Sequence, residues 1–218
     1  MPQSPRSTFS RPVFDQTITI HSNHAQRLLD RGFLLVVRAL YGIDVVLRIL
    51  GDEEEMDQVE AIVGKLIGEL AAELRAEHAR LAQLREANGI GATPRYTNPK
   101  RITVHISSPQ LAQYTALIEE LDRLMTVMDA LWLTGVLTNK QRADGAYQWR
   151  TRVLRTGRAI IEIERRARAS AEKRGKGEEL EGLEESEIAR EVTTEEEAKE
   201  GAAHKGDTQE DAAGEAET

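Results

Sequence analysis

Residues 101–109, RITVHISSP, predict a short β-strand with one apolar and one polar face, followed by the start of a helix. Side chains alternate along a strand, so the polar face carries Arg101, Thr103 and His105. Ser108 is a common helix cap, and Pro109 suits the first helical position, where its missing N–H is not needed. A chain otherwise rich in helical sequence therefore contains a strand–helix junction at this point.

A second stretch near the N-terminus, TITIHSN at residues 17–23, has the same pattern. Ile18 and Ile20 point to one side, and the opposite side carries Thr17, Thr19 and His21. Two short strands that each have an apolar face are expected to pair with each other or with a second subunit. The sequence thus predicts a two-stranded ribbon at residues 15–21 and 101–106, with a polar row facing solvent.

Helical patterns fill the rest of the folding part, in the order strand, helix, helix, strand, helix, helix. The most apolar window, residues 33–50, contains Arg38, Asp44 and Arg48, whose charges are costly inside a bilayer. We therefore expect a buried or subunit-facing helix there and no membrane contact. The predicted fold is mainly α with a two-stranded antiparallel β-ribbon and a helical-hairpin insertion between the two strands.

Charge divides the chain into a basic and an acidic part. Residues 177–218 hold 16 acidic and 3 basic side chains and no aromatic residue, whereas residues 1–176 carry a net charge of +5. A segment so charged and so poor in large apolar groups cannot offset the entropy of ordering by burial. We predict a flexible arm at 1–13, a folded domain at 14–172 and a disordered acidic tail at 173–218.

The sequence carries no recognisable catalytic or cofactor-binding motif. It has no cysteine, which excludes disulfides and thiolate metal sites. His21 and His24 are three residues apart at a strand-to-helix junction but lack the pattern of a zinc-binding helix, and no glycine-rich phosphate loop is present. We predict a cytoplasmic protein that is not an enzyme and that has no metal and no cofactor.

The polar face of the predicted ribbon has the chemistry needed to contact DNA bases. A two-stranded ribbon fits the major groove, where arginine bonds guanine and threonine contacts either bases or the methyl group of thymine. The N–H groups of the helix that starts at Ser108 offer a site for a phosphate. The alternative is structural, because threonine is common in strands and polar residues line any half-exposed ribbon.

A basic stretch after residue 138 offers a second surface for DNA. Twelve lysines and arginines occur between positions 140 and 176, among them Arg150, Arg152 and Arg155. Such a stripe binds phosphate backbones in a salt-dependent manner that is independent of base sequence. Alternatively, the arginine stems cover apolar surface on a solvated helix.

The acidic tail is open to two interpretations. It is either a solubilising extension without fixed structure or a segment that folds back on the basic surface and competes with DNA. The residue pattern does not distinguish between them.

Several motifs resemble the AcaB-like transcriptional regulators and integrating conjugative element proteins of proteobacterial plasmids and genomic islands. They are the run from His21 to Leu28, the Asn98-Pro99 turn, LDRL at 121–124 and LTGVLTNKQ at 133–141, within a likeness that covers roughly residues 14–165. The resemblance implies a DNA-binding activator of conjugative transfer genes with a ribbon-helix-helix-like core and type of readout. An ordinary ribbon-helix-helix subunit supplies one strand, whereas this chain supplies two.

The leading hypothesis is a nucleoid-associated regulator, homodimeric, that binds promoter or operator DNA through the ribbon. The alternative is a non-enzymatic helical adaptor of a conjugation or partition system, with residues 33–50 as its interface. The regulator hypothesis requires both polar strand faces to be exposed on one ribbon beside the basic helix. The adaptor hypothesis survives if the strands are far apart or their polar faces are covered.

Overall fold

Helices dominate the computed structural model, which describes residues 12–50, 53–176 and 192–194. The elements, in chain order, are β1 (Phe14–Ile20), α1 (Asn23–Leu28), a π-helical turn (Leu29–Phe33), α2 (Leu34–Leu50), α3 (Glu53–Ala87), β2 (Lys100–Ile106), α4 (Pro109–Leu133), α5 (Asn139–Lys173) and β3 (Val192–Thr194). The predicted combination of a mainly helical fold with an antiparallel strand pair is confirmed. The predicted folded domain ends one residue before the last residue of α5.

Hydroxyl side chains fix the starts of three helices. Ser22 and Ser108 each accept the backbone N–H three residues further on, at 3.3 and 3.2 Å. Thr138 and Gln141 form a reciprocal capping box at the start of α5. These caps satisfy backbone donors that have no partner inside the helix, which explains why the chain leaves each strand or loop at these residues.

The core lies around α4. Along its length α4 packs against α3, while α2 packs against α5. The side chains that α4 buries completely or nearly so include Leu117, Ile118, Leu121, Leu124 and Leu131. Burial of each such side chain favours folding by about 1.5–3 kcal/mol. This helix therefore anchors the domain and, through it, the position of the sheet.

Most apolar side chains between residues 33 and 47 are buried within the chain. Val36, Val37 and Leu40 are at most 3% exposed, and the helix that carries them packs against α5. Of its charged residues, Asp44 and Arg48 pair with each other at 2.9 Å. Within the described ranges, no helix is both long enough and apolar enough to cross a membrane.

Between α1 and α2 the helix has a π-helical turn, which includes Gly32. A π turn inserts a wider loop of backbone into the helix and rotates the residues after it. The apolar residues of this region lie around nearly the whole helix circumference, so their spacing does not reveal such a rotation. The turn leaves Leu29 and Phe33 buried on the core side.

β1 and β2 form an antiparallel pair in which Thr17 lies opposite Thr103 and Ile20 opposite Lys100. The inner side of the pair is apolar and buried, and it consists of Ile18, Ile20, Ile102, Val104 and Ile106. Both strands contact α4. Because this side packs on the core, the side chains on the other side of the ribbon are directed away from the core.

A third strand, β3, lies on the edge of β2 that faces away from β1. Val192 is opposite Val104, and Thr194 is opposite Ile102. These three residues lie within the segment predicted as the tail, and they form a strand. Val-Thr-Thr is a run of β-branched residues, and the free edge of β2 offers unpaired backbone groups that such a run can bind. The remainder of the predicted tail beyond Lys176 and positions 1–11 of the predicted arm lie outside the described residues.

Candidate nucleic-acid interface

Three cross-strand pairs make up the side of the ribbon that is directed away from the core. We call this set the outer row: Thr19 opposite Arg101, Thr17 opposite Thr103, and Asp15 opposite His105. Thr17, Asp15 and Arg101 are exposed, and the other three are partly exposed. The structure therefore brings together five of the six strand residues that the sequence assigned to one polar face.

The centre of the outer row is a threonine pair. The hydroxyl oxygens of Thr17 and Thr103 are 3.0 Å apart, and either can donate to the other. A hydroxyl has one donor and two acceptor positions, so each threonine keeps hydrogen-bonding capacity for a ligand. Together with the neighbouring Arg101, the row presents the donors and acceptors that base edges in the major groove can bind.

One end of the outer row carries an acidic residue that the sequence interpretation missed. Asp15 Oδ1 lies 2.5 Å from His105 Nδ1, and the two side chains are 64% and 27% exposed. The alternation through Thr17 and Thr19, continued two residues back, was the signal that could have identified Asp15. Its carboxylate can accept a hydrogen bond from a cytosine amino group, but it also repels phosphate.

His21 departs from the expected row because it follows the last residue of β1. Its Nδ1 lies 3.0 Å from Asp122 Oδ2, and its ring contacts Tyr96 with centroids 5.8 Å apart. The His21 side chain is thus directed to α4 and to the loop before β2. The third β1 residue of the outer row is therefore Asp15, at the opposite end of the strand, and not His21.

Asp122 fixes the exit of β1 on α4. This carboxylate is 6% exposed and accepts the backbone N–H groups of Ser22 at 2.7 Å and His21 at 3.0 Å. A buried carboxylate that accepts several hydrogen bonds is well compensated for its loss of water. The contact sets the height of β1 on the core and hence the position of the outer row.

A second set of hydrogen bonds ties the loop before β2 to the same place. Gln26 Nε2 donates to the Asn98 carbonyl at 2.8 Å and to the Ile20 carbonyl at 3.1 Å. Tyr96 donates from its hydroxyl to Asp129 at 2.8 Å. Burial raises the pKa of Tyr96, so the hydroxyl remains a donor. The end of β1 and the start of β2 are therefore held in fixed positions, although the two strands are far apart in the sequence.

The start of α4 is a poor place for the phosphate that the sequence suggested. Ser108 is engaged as the helix cap and lines a small cleft together with Asp44 and Glu60. Gln110, in the first turn, donates to Glu60 at 3.3 Å. Two carboxylates beside the helix start oppose the favourable field of its N–H groups.

The three arginines predicted on α5 have different surroundings. Arg152 contacts Glu73 of α3 and lies over the Trp149 ring at 4.6 Å. Arg150 lies 5.8 Å from the Tyr147 ring, whereas Arg155 is exposed. α5 packs chiefly on α2, whereas both strands of the ribbon contact α4.

Several other members of the basic stripe are held in ion pairs on the protein. The pairs are Arg142 with Asp129, Arg165 and Arg166 with Glu162, Arg168 with Glu164, and Arg174 with Glu55. The pairs with Glu162 and Glu55 are exposed and exchange easily for other partners, whereas Asp129 and Glu164 are mostly buried. The stripe is thus less positive than its sequence suggests, and its net attraction for phosphate is reduced.

Comparison with known proteins gives one informative match. The crystal structure of selenomethionine-containing AcaB from uropathogenic E. coli is 47% identical, with a TM-score of 0.75, over 78% of this chain and 89% of that chain. This chain belongs to the AcaB family. The resemblance read from the sequence motifs is thereby confirmed. No protein-family model matches the chain, and no curated protein does.

The match covers 89% of the AcaB chain, so the two chains share their fold over most of that length. The described residues of the present chain contain no group of three or more histidines and carboxylates that could hold a metal ion. The outer row is the place where polar side chains from both halves of the chain come together on an open surface.

Proposed function

We propose that this AcaB-family protein is a DNA-binding transcriptional regulator of a conjugative element, reading the major groove with the β1–β2 ribbon. The observation that carries the proposal is the antiparallel pairing of β1 with β2, which puts Thr17, Thr19, Arg101, Thr103 and His105 on one open face. A ribbon of this width and polarity suits the major groove. The proposal includes a ribbon-helix-helix-like mode of docking, with no enzymatic activity.

Membership of the AcaB family supports a regulatory role, and the sequence motifs imply the same. As in the hypothesis from the sequence, the proposed regulator is a homodimer that is associated with the nucleoid and binds a promoter or operator. These finer statements follow from the proposed function and fall with it.

The packing of α2 favours the regulator over the adaptor. The adaptor hypothesis needs the apolar face of residues 33–50 as an interface for another protein. That face is instead buried against α5, and most of its large apolar side chains are shielded from solvent. Leu34 and Leu35, at 38% and 54% exposure, are the exceptions at the start of α2.

Substitutions in the outer row test the proposal. We expect Arg101→Ala to lose discrimination of about 1–3 kcal/mol at one or two base pairs, because arginine bonds guanine in a bidentate manner. Thr103→Val keeps the shape of the side chain and removes the hydroxyl, and it is expected to change base preference rather than stability. Sequence preference is measured by selection from a pool of random 25-base-pair duplexes at low salt, followed by fluorescence anisotropy.

Arginines on α5 provide the comparison. Arg150→Ala and Arg155→Ala are expected to weaken binding to all duplexes and to lower the slope of log affinity against log salt by about 1 each. Arg152 is engaged with Glu73, so its replacement has a smaller effect. Arg80→Ala on α3, which removes a surface pair with Glu77, serves as the control without an effect on binding.

The result that contradicts the proposal is simple to recognise. If neither the full chain nor a form ending at Lys176 binds any duplex at 50 mM salt, the outer row is not a DNA-reading surface. If DNA is bound but Arg101→Ala leaves base preference unchanged, the ribbon is not the reading element.

A further inference from the structure

The edge of β2 that faces away from β1 is occupied by the chain's own C-terminal region. Val192–Thr194 pair with Ile102–Val104 in antiparallel register, so β2 is the central strand of a three-stranded sheet. Val192 follows more than forty residues after the capped start of α5 at Thr138. This strand is not needed to cover the apolar side of the ribbon, which already lies on α4.

A third strand changes the width of the surface that is offered to DNA. Neighbouring strands are about 4.8 Å apart, whereas the major groove is about 12 Å wide. A two-stranded ribbon with its side chains fills that width. The sheet with β3 in place is one strand wider and cannot enter the groove in the same manner.

Charge acts in the same direction as width. Thr194 lies opposite Ile102, the neighbour of Arg101, and the sequence continues from Thr194 with Glu195, Glu196 and Glu197. The segment from 177 to the end has a net charge of −13, the same sign as phosphate. β3 is thus continuous in sequence with an acidic segment, and we expect it to compete with DNA both by space and by charge.

We infer that residues 192–194 dock on β2 in cis as an autoinhibitory strand, and that DNA binding requires their release. The inference rests on the proposed function of the ribbon. A strand of three residues makes few hydrogen bonds, so it is held mainly because the chain keeps it at high local concentration. If about nine molecules in ten are docked, the apparent affinity for DNA is lowered about tenfold.

A double proline substitution tests the strand without a change of charge. Successive N–H groups of a strand point in opposite directions, so one of two adjacent residues must donate towards β2. Val192→Pro with Thr193→Pro removes that donor whichever residue provides it. Ala202→Pro with Ala203→Pro is the matched control, because it makes the same chemical change elsewhere in the acidic segment.

Two measurements are made on each full-length protein. Hydrogen exchange of the β2 amides, measured in the absence of DNA, reports whether β3 is docked. We expect faster exchange in the Val192/Thr193 variant and in no other variant. Anisotropy with a pool of random 25-base-pair duplexes at 50 mM salt reports inhibition, and we expect about tenfold tighter binding in that variant. The Ala202/Ala203 variant should match the unmodified protein in both.

A third variant separates the contribution of the strand from that of charge. Glu195→Gln, Glu196→Gln and Glu197→Gln together keep β3, so exchange of the β2 amides should stay slow while DNA binding becomes moderately tighter. Unchanged exchange in the proline variant overturns docking. Unchanged affinity, with a measurable complex, overturns the inhibition but leaves the ribbon as the DNA-reading element. Failure of every form, including one ending at Lys176, to bind DNA overturns the proposed function and the inhibition together.

Discussion

His24, in the first turn of α1, is a half-buried histidine without a hydrogen-bond partner for Nδ1 among the described residues. Burial lowers its pKa below the usual 6.5, and the positive charges of Arg142 and Arg150 lower it further, against an opposing effect of Asp129. Both causes disfavour the protonated imidazole. The residue is therefore neutral in the folded protein at pH values where it is partly protonated in the unfolded chain.

The direction of the pH effect follows from this difference. The unfolded state binds more protons below pH 6.5, so we expect the free energy of unfolding to fall as pH drops through 6.5 towards the lower folded-state pKa. Urea denaturation at a series of pH values should show this slope, and His24→Gln should reduce it. Arg150→Gln should raise the pKa of His24 in an NMR titration. An equal slope in His24→Gln would show that other groups cause the pH dependence.

At the scale of elements, the approach of α5 to α2 and α4 depends on Gly157. A Cβ at this position would lie 2.8 Å from Val36 Cγ2 and 3.1 Å from Tyr114 Oη. Tyr114 is itself buried and stacks on Phe33. Neither neighbour can move freely, since valine is stiff at its branch and the tyrosine is packed.

We therefore expect Gly157→Ala to destabilise the protein by about 1–3 kcal/mol, even though alanine favours a helix. The matched control is Gly68→Ala in α3, where the added Cβ meets nothing within 4 Å. That change should stabilise by about 0.5–1 kcal/mol. Opposite signs for the two substitutions in urea denaturation support close helix packing at Gly157. Equal signs contradict it.

The strands show how far sequence reasoning extends for this fold. Alternation alone predicted which side of each strand is buried, because a period of two needs no knowledge of the partner. It did not predict the register, since the strands are joined by two long helical segments rather than by a short turn whose geometry would fix it. Asp15 was missed because the alternation was not followed two residues back from Thr17, and His21 was assigned to the row although it binds Asp122.

β3 was missed for a related reason. Composition describes the acidic segment as unable to form a core of its own. It does not reveal that three β-branched residues within that segment can pair with the edge of a strand from another part of the chain. The cap at Ser108, by contrast, depends on residues only three positions apart, and it was predicted from sequence alone.

At the scale of the whole molecule, stability depends on the central position of α4. Leu124 is fully buried in this helix, whereas Leu133, at its end, is 63% exposed. We expect Leu124→Ala to cost about 2–5 kcal/mol, because it removes buried contacts and leaves a cavity. Leu133→Ala, the same substitution in the same helix, should stay within about 0.5 kcal/mol. Similar losses measured by urea denaturation would contradict a core centred on α4.

The pairing of two strands from one chain has a consequence for symmetry. A ribbon built from the same strand of two identical subunits has a two-fold axis and presents each side chain twice. The β1–β2 ribbon has no such axis, because its two strands differ in sequence, and Asp15, Thr17 and Thr19 of β1 face three different residues of β2. A substitution on one strand therefore changes one position of each ribbon and not two, and the half-site that matches one ribbon need not be palindromic.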